Sequence, residues 1–500
     1  MAVAAALAAL SLALVAPAPS YDPWMWLLWG REVAEASLDT HDGPAFKPLP
    51  VAVCALLAPL GAAAPVAWVL LVRTAGLVAV YLAWRVGRRL AGGSRLAGAL
   101  AAAAVLLCGR LIGFTASGTE PALVLAAALG GVEAWAAGRH RLALACAAAC
   151  GLLRVEAWPF LLAGGVVLWR RAPQHRPALG LAAVVIPAAW FGPEWLGSGD
   201  LLRSGARARI PNPGQPALAA VPALASLRAG LALVPWPLWA GVAALAVAAG
   251  RERRAAHPRA VGAAARRPGR STAAAARPAL VLGGAGAAWL LLVALMAQAG
   301  FSGEPRYALP GAALIGIAGA VGLGSPAARR PRHSAPRTDP IGVPLPRPPG
   351  HVAAPAAAID TALPPPPRRV TPRAVALGAA LLLAVPAAVR LAELPALRAA
   401  QTYQWRLAAE LADVIGAAGG RAAVLACGTP YVGPRRGPVM AYTLRVRKAA
   451  VEPDDPPRAP GMVFRSRLTA DAPPAPAAPA TFAPVARTPR WRVLAACPAP

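Results

Sequence analysis

Residues 279–324 read ALVLGGAGAAWLLLVALMAQAG-FSGEPR-YALPGAALIGIAGAVGLG, which is two apolar runs separated by a polar hexapeptide. Neither apolar run contains a charged side chain, whereas the hexapeptide carries Glu304 and Arg306. About 20 apolar residues in a helix are enough to cross the hydrocarbon core of a bilayer. The stretch therefore predicts two membrane-spanning helices joined by a short polar turn.

The same alternation of apolar runs and polar turns extends over most of the 500 residues. The chain is 57% hydrophobic and only 14% charged, which is too little charge for the surface of a soluble protein of this length. We therefore expect an all-α polytopic membrane protein with about ten to twelve transmembrane helices. The further apolar runs cover residues 1–18, 49–72, 96–113, 121–137, 142–153, 157–169, 178–191, 230–250 and 374–389.

The distribution of basic residues predicts which turns face the cytoplasm. If the N-terminus is cytoplasmic and each run crosses once, the cytoplasmic loops carry 25 Lys and Arg against three acids, and the outer loops carry nine against ten. That asymmetry is what the positive-inside rule requires. The cytoplasmic loops are then residues 85–95, 138–141, 170–177, 250–277 and 325–373, and the outer loops are residues 20–48, 110–120, 154–156, 192–230 and 299–306.

The net charge of +29 could also indicate a nucleic-acid-binding protein. The arginines, however, cluster between apolar runs, where loops meet the anionic lipids of the cytoplasmic leaflet. No basic face interleaved with aromatic residues is present. We therefore expect membrane lipids as partners and no nucleic acid.

The apolar runs divide the chain into a transmembrane core and a C-terminal part. The core covers residues 1–324 and includes a first outer loop at 20–48. Residues 325–373 are rich in Pro and Arg and are expected to form a disordered cytoplasmic linker. Residues 374–392 would be the last transmembrane helix, and residues 393–500 a small extracytoplasmic α/β domain. Its predicted strands lie at residues 422–427, 439–446, 462–464 and 490–496.

Two of the six cysteines, Cys427 and Cys497, lie in this C-terminal part. If the domain is outside the cell, a disulfide between them is compatible with an oxidising environment. The sequence leaves both the paired and the free state open.

Polar residues that interrupt the apolar sequence converge on the outer side in this topology. They are Asp22, Glu120, Arg154, Glu156, Arg306 and Tyr307. Ionisable groups at membrane depth are costly, so their accumulation on one side indicates a functional site. Structural explanations exist for each: a helix start for the acids, an ion pair between Arg154 and Glu156 bracing two short helices, and snorkelling for Arg306.

At these residues the chain resembles the GT-C superfamily of membrane glycosyltransferases. The similarity is to the bacterial mannosyltransferase and lipid-A-sugar-transferase group, which is related to the protein O-mannosyltransferases. It covers about residues 1–325. The matching elements, in chain order, are Asp22 after the first span, Lys47-Pro48-Leu49-Pro50, Ser117-Gly118-Thr119-Glu120-Pro121, Leu152-Leu153-Arg154-Val155-Glu156, and Pro305-Arg306-Tyr307 with Pro310.

The resemblance implies a polyprenyl-phosphate sugar donor and a lipid or glycan acceptor that is reached from the outer face. A hexosyl or pentosyl group would be transferred with inversion. Asp22 would be the general base, and Glu120 is the second catalytic candidate. The substrate-binding candidates are Lys47, Arg31, Arg154, Glu156, Arg306 and Tyr307, with the cations placed to neutralise the departing phosphate.

No cofactor is expected, although a divalent cation stays open. Asp39, His41 and Asp42 are weak candidates for metal ligands, because three such side chains in four residues are also common in loops. Two other functions remain open at this stage. A transporter or lipid flippase would predict inverted repeats, which the sequence does not display. A non-catalytic membrane protein of envelope biogenesis would share the fold without needing the base.

Overall fold

The computed structural model describes residues 1–256, 270–325, 372–453 and 456–498. Most of the predicted linker, residues 326–371, therefore lies outside the described residues. The helices within the described ranges are α1 Ala2–Leu14, α2 Tyr21–Ala34, α3 Pro48–Leu57, α4 Ala64–Leu90, α5 Arg95–Leu106, α6 Leu111–Ala116, α7 Pro121–Ala136, α8 His140–Leu153, α9 Trp158–Arg171, α10 Arg176–Ser198, α11 Arg203–Ala208, α12 Pro222–Leu231, α13 Leu238–Ala256, α14 Arg270–Gln298, α15 Pro305–Gly324, α16 Pro372–Ala417, α17 Gly420–Cys427 and α18 Gly437–Leu444.

All the strands that the structure describes lie in the C-terminal part. They are β1 Thr429–Tyr431, β2 Gly461–Arg467, β3 Pro474–Ala475, β4 Ala483–Arg487 and β5 Arg492–Ala496. The sheet order is β1-β2-β5-β4, and β3 pairs with β2 off this path. β1 runs parallel to β2, and the other pairings are antiparallel.

Four stretches of helix are long and apolar enough to cross a membrane, by length and composition. They are Pro48–Leu90, Pro173–Ser198, Arg277–Gln298 and Pro305–Gly324. Several further apolar helices are shorter, including α1, α5, α7 and α8. The predicted fold class, a polytopic helical membrane protein with a small C-terminal α/β domain, is therefore confirmed.

The helix α15 lies at the centre of the bundle, packed against α14, α13 and α5. Its crossing with α14 is close: a Cβ atom added to Gly311 would lie 2.7 Å from the carbonyl oxygen of Gly286. A larger residue at either position would push the helices apart. Small residues at a helix crossing give close backbone packing where lipid offers no hydrophobic driving force.

The helix ends meet in two groups, one at each end of the bundle. At one end the Ser20 backbone N–H donates to the Ser117 carbonyl at 3.0 Å. At the opposite end the Ser94 hydroxyl donates to the Gly324 carbonyl at 2.7 Å. Each contact joins segments that the charge distribution placed on the same side. We call the first group the outer-loop end, because the predicted outer loops meet there.

The C-terminal domain packs on α2 at the outer-loop end. Tyr442 in α18 donates through its hydroxyl to the Gly61 carbonyl at 3.1 Å. Its ring lies 5.4 Å from the ring of Trp24, centroid to centroid. Arg31 in α2 donates to the Tyr442 carbonyl at 2.9 Å. The sheet and the polar outer loops therefore lie at the same end of the bundle.

A disulfide joins Cys427, at the end of α17, to Cys497, which follows β5. Their Cα atoms are 4.6 Å apart. The other four cysteines are free, and three of them, Cys54, Cys108 and Cys150, are buried as the apolar runs predicted. The disulfide links α17 to the chain beyond the sheet.

Two of the predicted strands are wrong. Residues 422–427 lie in α17, and most of residues 439–446 lie in α18. A short apolar run does not distinguish a strand from a buried helix, and Pro438 at the start of α18 favours a helix there. The predicted strands at 462–464 and 490–496 are confirmed by β2 and β5.

One continuous helix, α16, replaces the expected boundary at residue 392. It runs from Pro372 to Ala417, so the predicted last transmembrane helix and the first helix of the C-terminal domain are one element. Pro386 and Pro395 both lie inside it. A proline within a helix removes one hydrogen bond but does not always end the helix.

Candidate active site

Seven of the eight predicted site residues lie in one connected cluster at the outer-loop end. Its first part is centred on Glu120, which is fully buried. Lys47 donates to Glu120 through its ammonium group. Arg154 forms an ion pair with the same carboxylate at 2.5 Å. Burial alone would raise the pKa of Glu120, but the charges of Arg154 and Lys47 outweigh that effect and hold the pKa below its usual range.

The ion pair between Arg154 and Glu156 is longer than the one with Glu120. Arg154 Nη1 lies 3.5 Å from Glu156 Oε1. The backbone of Arg154 is extended, and a 3-10 turn at Val155–Ala157 follows it. This break between α8 and α9 directs the guanidinium toward Glu120 rather than along the helix.

The second part of the cluster is centred on Arg306. Its Nη1 donates to Asp22 Oδ2 at 2.6 Å, and its Nη2 donates to Tyr307 Oη at 3.1 Å. Its Nε lies 2.6 Å from Glu304 Oε2. The guanidinium therefore joins two acids and a phenol. Snorkelling, the simple explanation for an arginine at a helix end, does not account for this arrangement.

The ring of Tyr307 connects the two parts. The guanidinium carbon of Arg154 lies 4.1 Å from the ring centroid, and that of Arg306 lies 5.0 Å from it. The Lys47 ammonium lies 6.0 Å from the same centroid. Cations at these distances are attracted by the electrons of the ring face. Three cations therefore gather around one aromatic side chain.

Four helix N-termini carry the residues of the cluster other than Arg154 and Glu156. Lys47, Glu120 and Glu304 are the N-cap residues of α3, α7 and α15, and Asp22 lies in the first turn of α2. Proline occupies the first turn of α3, α7 and α15, where its fixed φ favours a helix start. Helix N-termini attract anions, so their convergence adds positive potential to that of the three cations.

Arg31 does not join the cluster, and its role in substrate binding stays a prediction. Its guanidinium donates to the carbonyls of Tyr442 and Val446 in the C-terminal domain. It also lies 5.3 Å from the centroid of the Tyr442 ring. Its position in the first outer loop could not reveal that a second domain covers this side of α2.

The candidate metal ligands do not converge. The His41 ring lies 2.9 Å from Asp39, whereas Asp42 faces Lys448 at 4.0 Å. Partial burial alone would raise the pKa of Asp39, but the hydrogen bonds from His41 outweigh it and hold that pKa below its ordinary value. Within the described ranges, no group of three or more His, Cys, Asp or Glu is placed to hold a metal ion.

Sequence reasoning missed three residues that anchor the loop before Lys47. Arg203 donates to the Pro44 carbonyl at 2.8 Å, and the Ser204 hydroxyl accepts from the Phe46 backbone N–H at 2.7 Å. Glu194 is fully buried in α10 and accepts from Ser204. A single acid in a largely apolar helix was the available signal. These contacts fix the loop that ends at the lysine of the cluster.

A cavity of about 270 Å³ lies beside the cluster. Lys47, Arg154, Glu156 and Tyr307 form part of its wall. The rest is mainly apolar, with Trp158, Trp190, Phe191, Leu201, Val293 and Met296 among the lining residues. Phe191 and Leu201 are also exposed, so the cavity opens onto the apolar surface of the bundle. Such a space suits a ligand with an anionic head and an apolar tail.

Comparison with solved structures gives two similar structures, both of one protein. A crystal structure of ArnT from Cupriavidus metallidurans bound to undecaprenyl phosphate is 16% identical, with a TM-score of 0.49, covering 99% of this chain and 97% of that chain. The apo state of ArnT from the same organism is 17% identical, with a TM-score of 0.45, covering 95% and 93%. These values are too low to establish what this chain does. No protein-family model and no curated protein matches the sequence.

Proposed function

We propose that this chain is a membrane glycosyltransferase of the GT-C type, which moves a hexosyl or pentosyl group from a polyprenyl phosphate to an acceptor hydroxyl. The observation that carries the proposal is the cavity, which places Lys47 and Arg154 beside an apolar wall that opens onto the apolar surface of the bundle. A prenyl chain fits the apolar wall, and a phosphate fits the wall formed by Lys47, Arg154 and Tyr307.

The cations would stabilise the departing phosphate. As the bond between the anomeric carbon and the phosphate oxygen breaks, negative charge grows on that oxygen. Lys47 and Arg154 line the cavity and present fixed donors to it. Arg306 donates to the Tyr307 hydroxyl and adds a third positive charge nearby. Glu120 would position these cations rather than touch the sugar, because it is enclosed between Lys47 and Arg154. Glu156 lines the cavity and would contact the sugar as a substrate-binding residue.

Asp22 would be the base. The acceptor oxygen forms a bond to the anomeric carbon from the face opposite the phosphate, its proton passes to the Asp22 carboxylate, and polyprenyl phosphate leaves with the electron pair. Arg306 donates a hydrogen bond to Asp22 Oδ2. Asp22 Oδ1 has no hydrogen-bond partner in the described part of the chain. Asp22 does not line the cavity. The acceptor would therefore reach Asp22 from outside the part of the cavity that holds the donor.

The reaction would take place on the extracytoplasmic side, with the N-terminus in the cytoplasm. Two observations support this orientation. The loops at the outer-loop end carry about as many acids as bases, whereas the other loops are strongly basic. The C-terminal domain at the same end contains a disulfide, which persists in oxidising compartments.

The test is Asp22→Asn in the purified protein. Release of polyprenyl phosphate would be measured with donors that carry mannose, glucose, arabinose or an aminosugar, in the presence of acceptor lipid extract. Loss of the base should lower the rate at least about 100-fold, while the variant still unfolds above the assay temperature. Asp42→Asn, an exposed acid of the same loop, is the matched control and should keep full activity. Equal rates in the two variants would place the base elsewhere, and no release from any donor would refute the transferase.

A further inference from the structure

The C-terminal domain contains a large cationic groove that the proposed reaction does not use. Its volume is about 1020 Å³. Tyr403 on α16, Ser466 on β2 and Trp491 contribute to its wall. The basic residues that line it are Arg465, Arg467, Arg487, Arg490 and Arg492. No acidic side chain is part of the lining.

Three of these arginines stand in one row across the sheet. Arg465 on β2 is the register partner of Arg492 on β5, and Arg492 is the register partner of Arg487 on β4. Directly opposed residues of antiparallel strands project from the same face. The row crosses two strand spacings, or roughly 10 Å. Like charges in directly opposed positions destabilise a sheet unless something neutralises them.

Little in the described part of the chain neutralises this groove. Arg490 pairs with Glu410 on α16, which also accepts from the Arg490 backbone N–H at 2.9 Å. The other four arginines have no acid partner there. The Nε atom of Arg465 is buried without a hydrogen-bond partner. A buried donor with no acceptor is unfavourable, so an acceptor oxygen placed beside this atom would be stabilising.

We propose that the groove binds a ligand that presents at least two phosphate groups. An arginine guanidinium can donate two parallel hydrogen bonds to two oxygens of one phosphate. A phosphate monoester carries a charge of about −1.5 to −2 at neutral pH, so two such groups would balance four arginines. The length of the arginine row also accommodates two phosphates side by side. Tyr403 and Trp491 would give the ligand an aromatic wall.

The proposal is tested by titrating the purified full-length protein with sodium tripolyphosphate in a calorimeter at fixed ionic strength. Arg487→Gln/Arg492→Gln should raise the dissociation constant for tripolyphosphate at least about tenfold, because it removes two directly opposed guanidinium groups. The matched control is Arg398→Gln/Arg406→Gln, which removes the same charge from exposed positions on α16. If both double variants weaken binding equally, the effect depends only on the net charge of the protein, and the proposal is overturned.

Two further arms separate this site from others. Lys47→Gln alters the membrane cluster and should leave tripolyphosphate binding at the groove unchanged, so the outcome is independent of transferase activity. Glycerol 3-phosphate, a single phosphomonoester, should bind much more weakly than tripolyphosphate. Equal affinity would show that the groove recognises a lone phosphate, contrary to the proposal.

The same double variant has a readout without any ligand. At low ionic strength in phosphate-free buffer, Arg487→Gln/Arg492→Gln should melt at a higher temperature than the wild type, because it removes repulsion between β4 and β5. Tripolyphosphate should raise the melting temperature of the wild type and not that of the variant. A variant that melts lower than the wild type would contradict the repulsion on which the proposal depends.

Discussion

Arg306 donates a hydrogen bond to Asp22 at 2.6 Å, although 284 positions separate the two residues in the sequence. The other terminal nitrogen of the same guanidinium donates to the hydroxyl of Tyr307. One planar group therefore connects the proposed base to a residue of the cavity wall. Whatever changes the partners of Arg306 also changes the surroundings of Asp22.

Arg306→Lys should lower kcat/KM for the sugar donor by about 100-fold. A lysine keeps the positive charge, but its single ammonium group cannot hold Asp22 and Tyr307 in the geometry of a planar fork. The measurement is steady-state release of polyprenyl phosphate from the donor. Arg110→Lys, at an exposed position of another outer loop, is the control. A rate within twofold of the wild type would show that the fork is not needed.

Glu120→Gln should destabilise the protein by about 3–5 kcal/mol. The substitution leaves Lys47 and Arg154 buried without their shared counter-charge. Thermal unfolding in detergent measures the effect. Adding Lys47→Met to Glu120→Gln removes one of the stranded charges and should recover part of the loss. If the single variant melts like the wild type, the carboxylate does not hold the two cations together.

Replacing both cysteines of the disulfide by serine should cost about 4 kcal/mol of stability in the C-terminal domain. The bridge closes a loop with a sequence separation of 70, and it acts mainly by limiting the unfolded chain. Limited proteolysis followed by mass spectrometry would detect the earlier opening of this domain. Cys146→Ser, which removes a free thiol, should leave the digestion pattern as it is in the wild type.

The orientation of the chain in the membrane can be tested by chemical labelling of one thiol. Cys427→Ser frees Cys497, which is exposed. If this domain is extracytoplasmic, a membrane-impermeant maleimide should label the variant in intact cells. The variant that lacks both cysteines gives the background from the remaining thiols. Labelling that requires permeabilised cells would reverse the proposed topology.

Stability should fall as the pH rises from about 4.5 to about 7, because of Glu32. Burial raises the pKa of Glu32 to about 7, although a hydrogen bond from the Asp39 backbone N–H opposes the shift. A raised pKa in the folded state means that the folded protein binds the extra proton within this window, so ionisation at higher pH weakens folding by about 1–3 kcal/mol. Glu32→Gln should flatten the dependence of the melting temperature on pH. An unchanged profile would assign the dependence to other groups.

Sequence reasoning reached the cluster because sidedness can be read from the chain alone. Charge counts placed Asp22, Glu120, Arg154 and Arg306 on one side, and the structure brings them into contact. Which cation pairs with which acid was not accessible, because pairing depends on how each helix is rotated about its axis. Arg154 illustrates this: its neighbour in sequence is Glu156, but its shorter ion pair is with Glu120.

The C-terminal domain was harder to predict than the membrane core. Its apolar segments are too short for their length or hydrophobic period to distinguish a strand from a helix. The sequence therefore predicts strands where the structure has α17 and α18. The position of Arg31 outside the cluster was not predictable for a related reason, since only tertiary packing reveals that α18 covers it. The arginine row of the groove is equally invisible in the sequence, because Arg465, Arg487 and Arg492 become neighbours only through strand register.

The unbroken course of α16 has a practical consequence for dissecting this protein. A fragment that begins at residue 393 would start in the middle of α16. Its first turn would expose unpaired backbone groups and apolar side chains. Conversely, a truncated core that stops there would lose the part of the helix on which the sheet rests, including Glu410 and its anchor to Arg490. The two halves are better separated by a protease site inserted within residues 326–371 than by cutting the chain at the membrane surface.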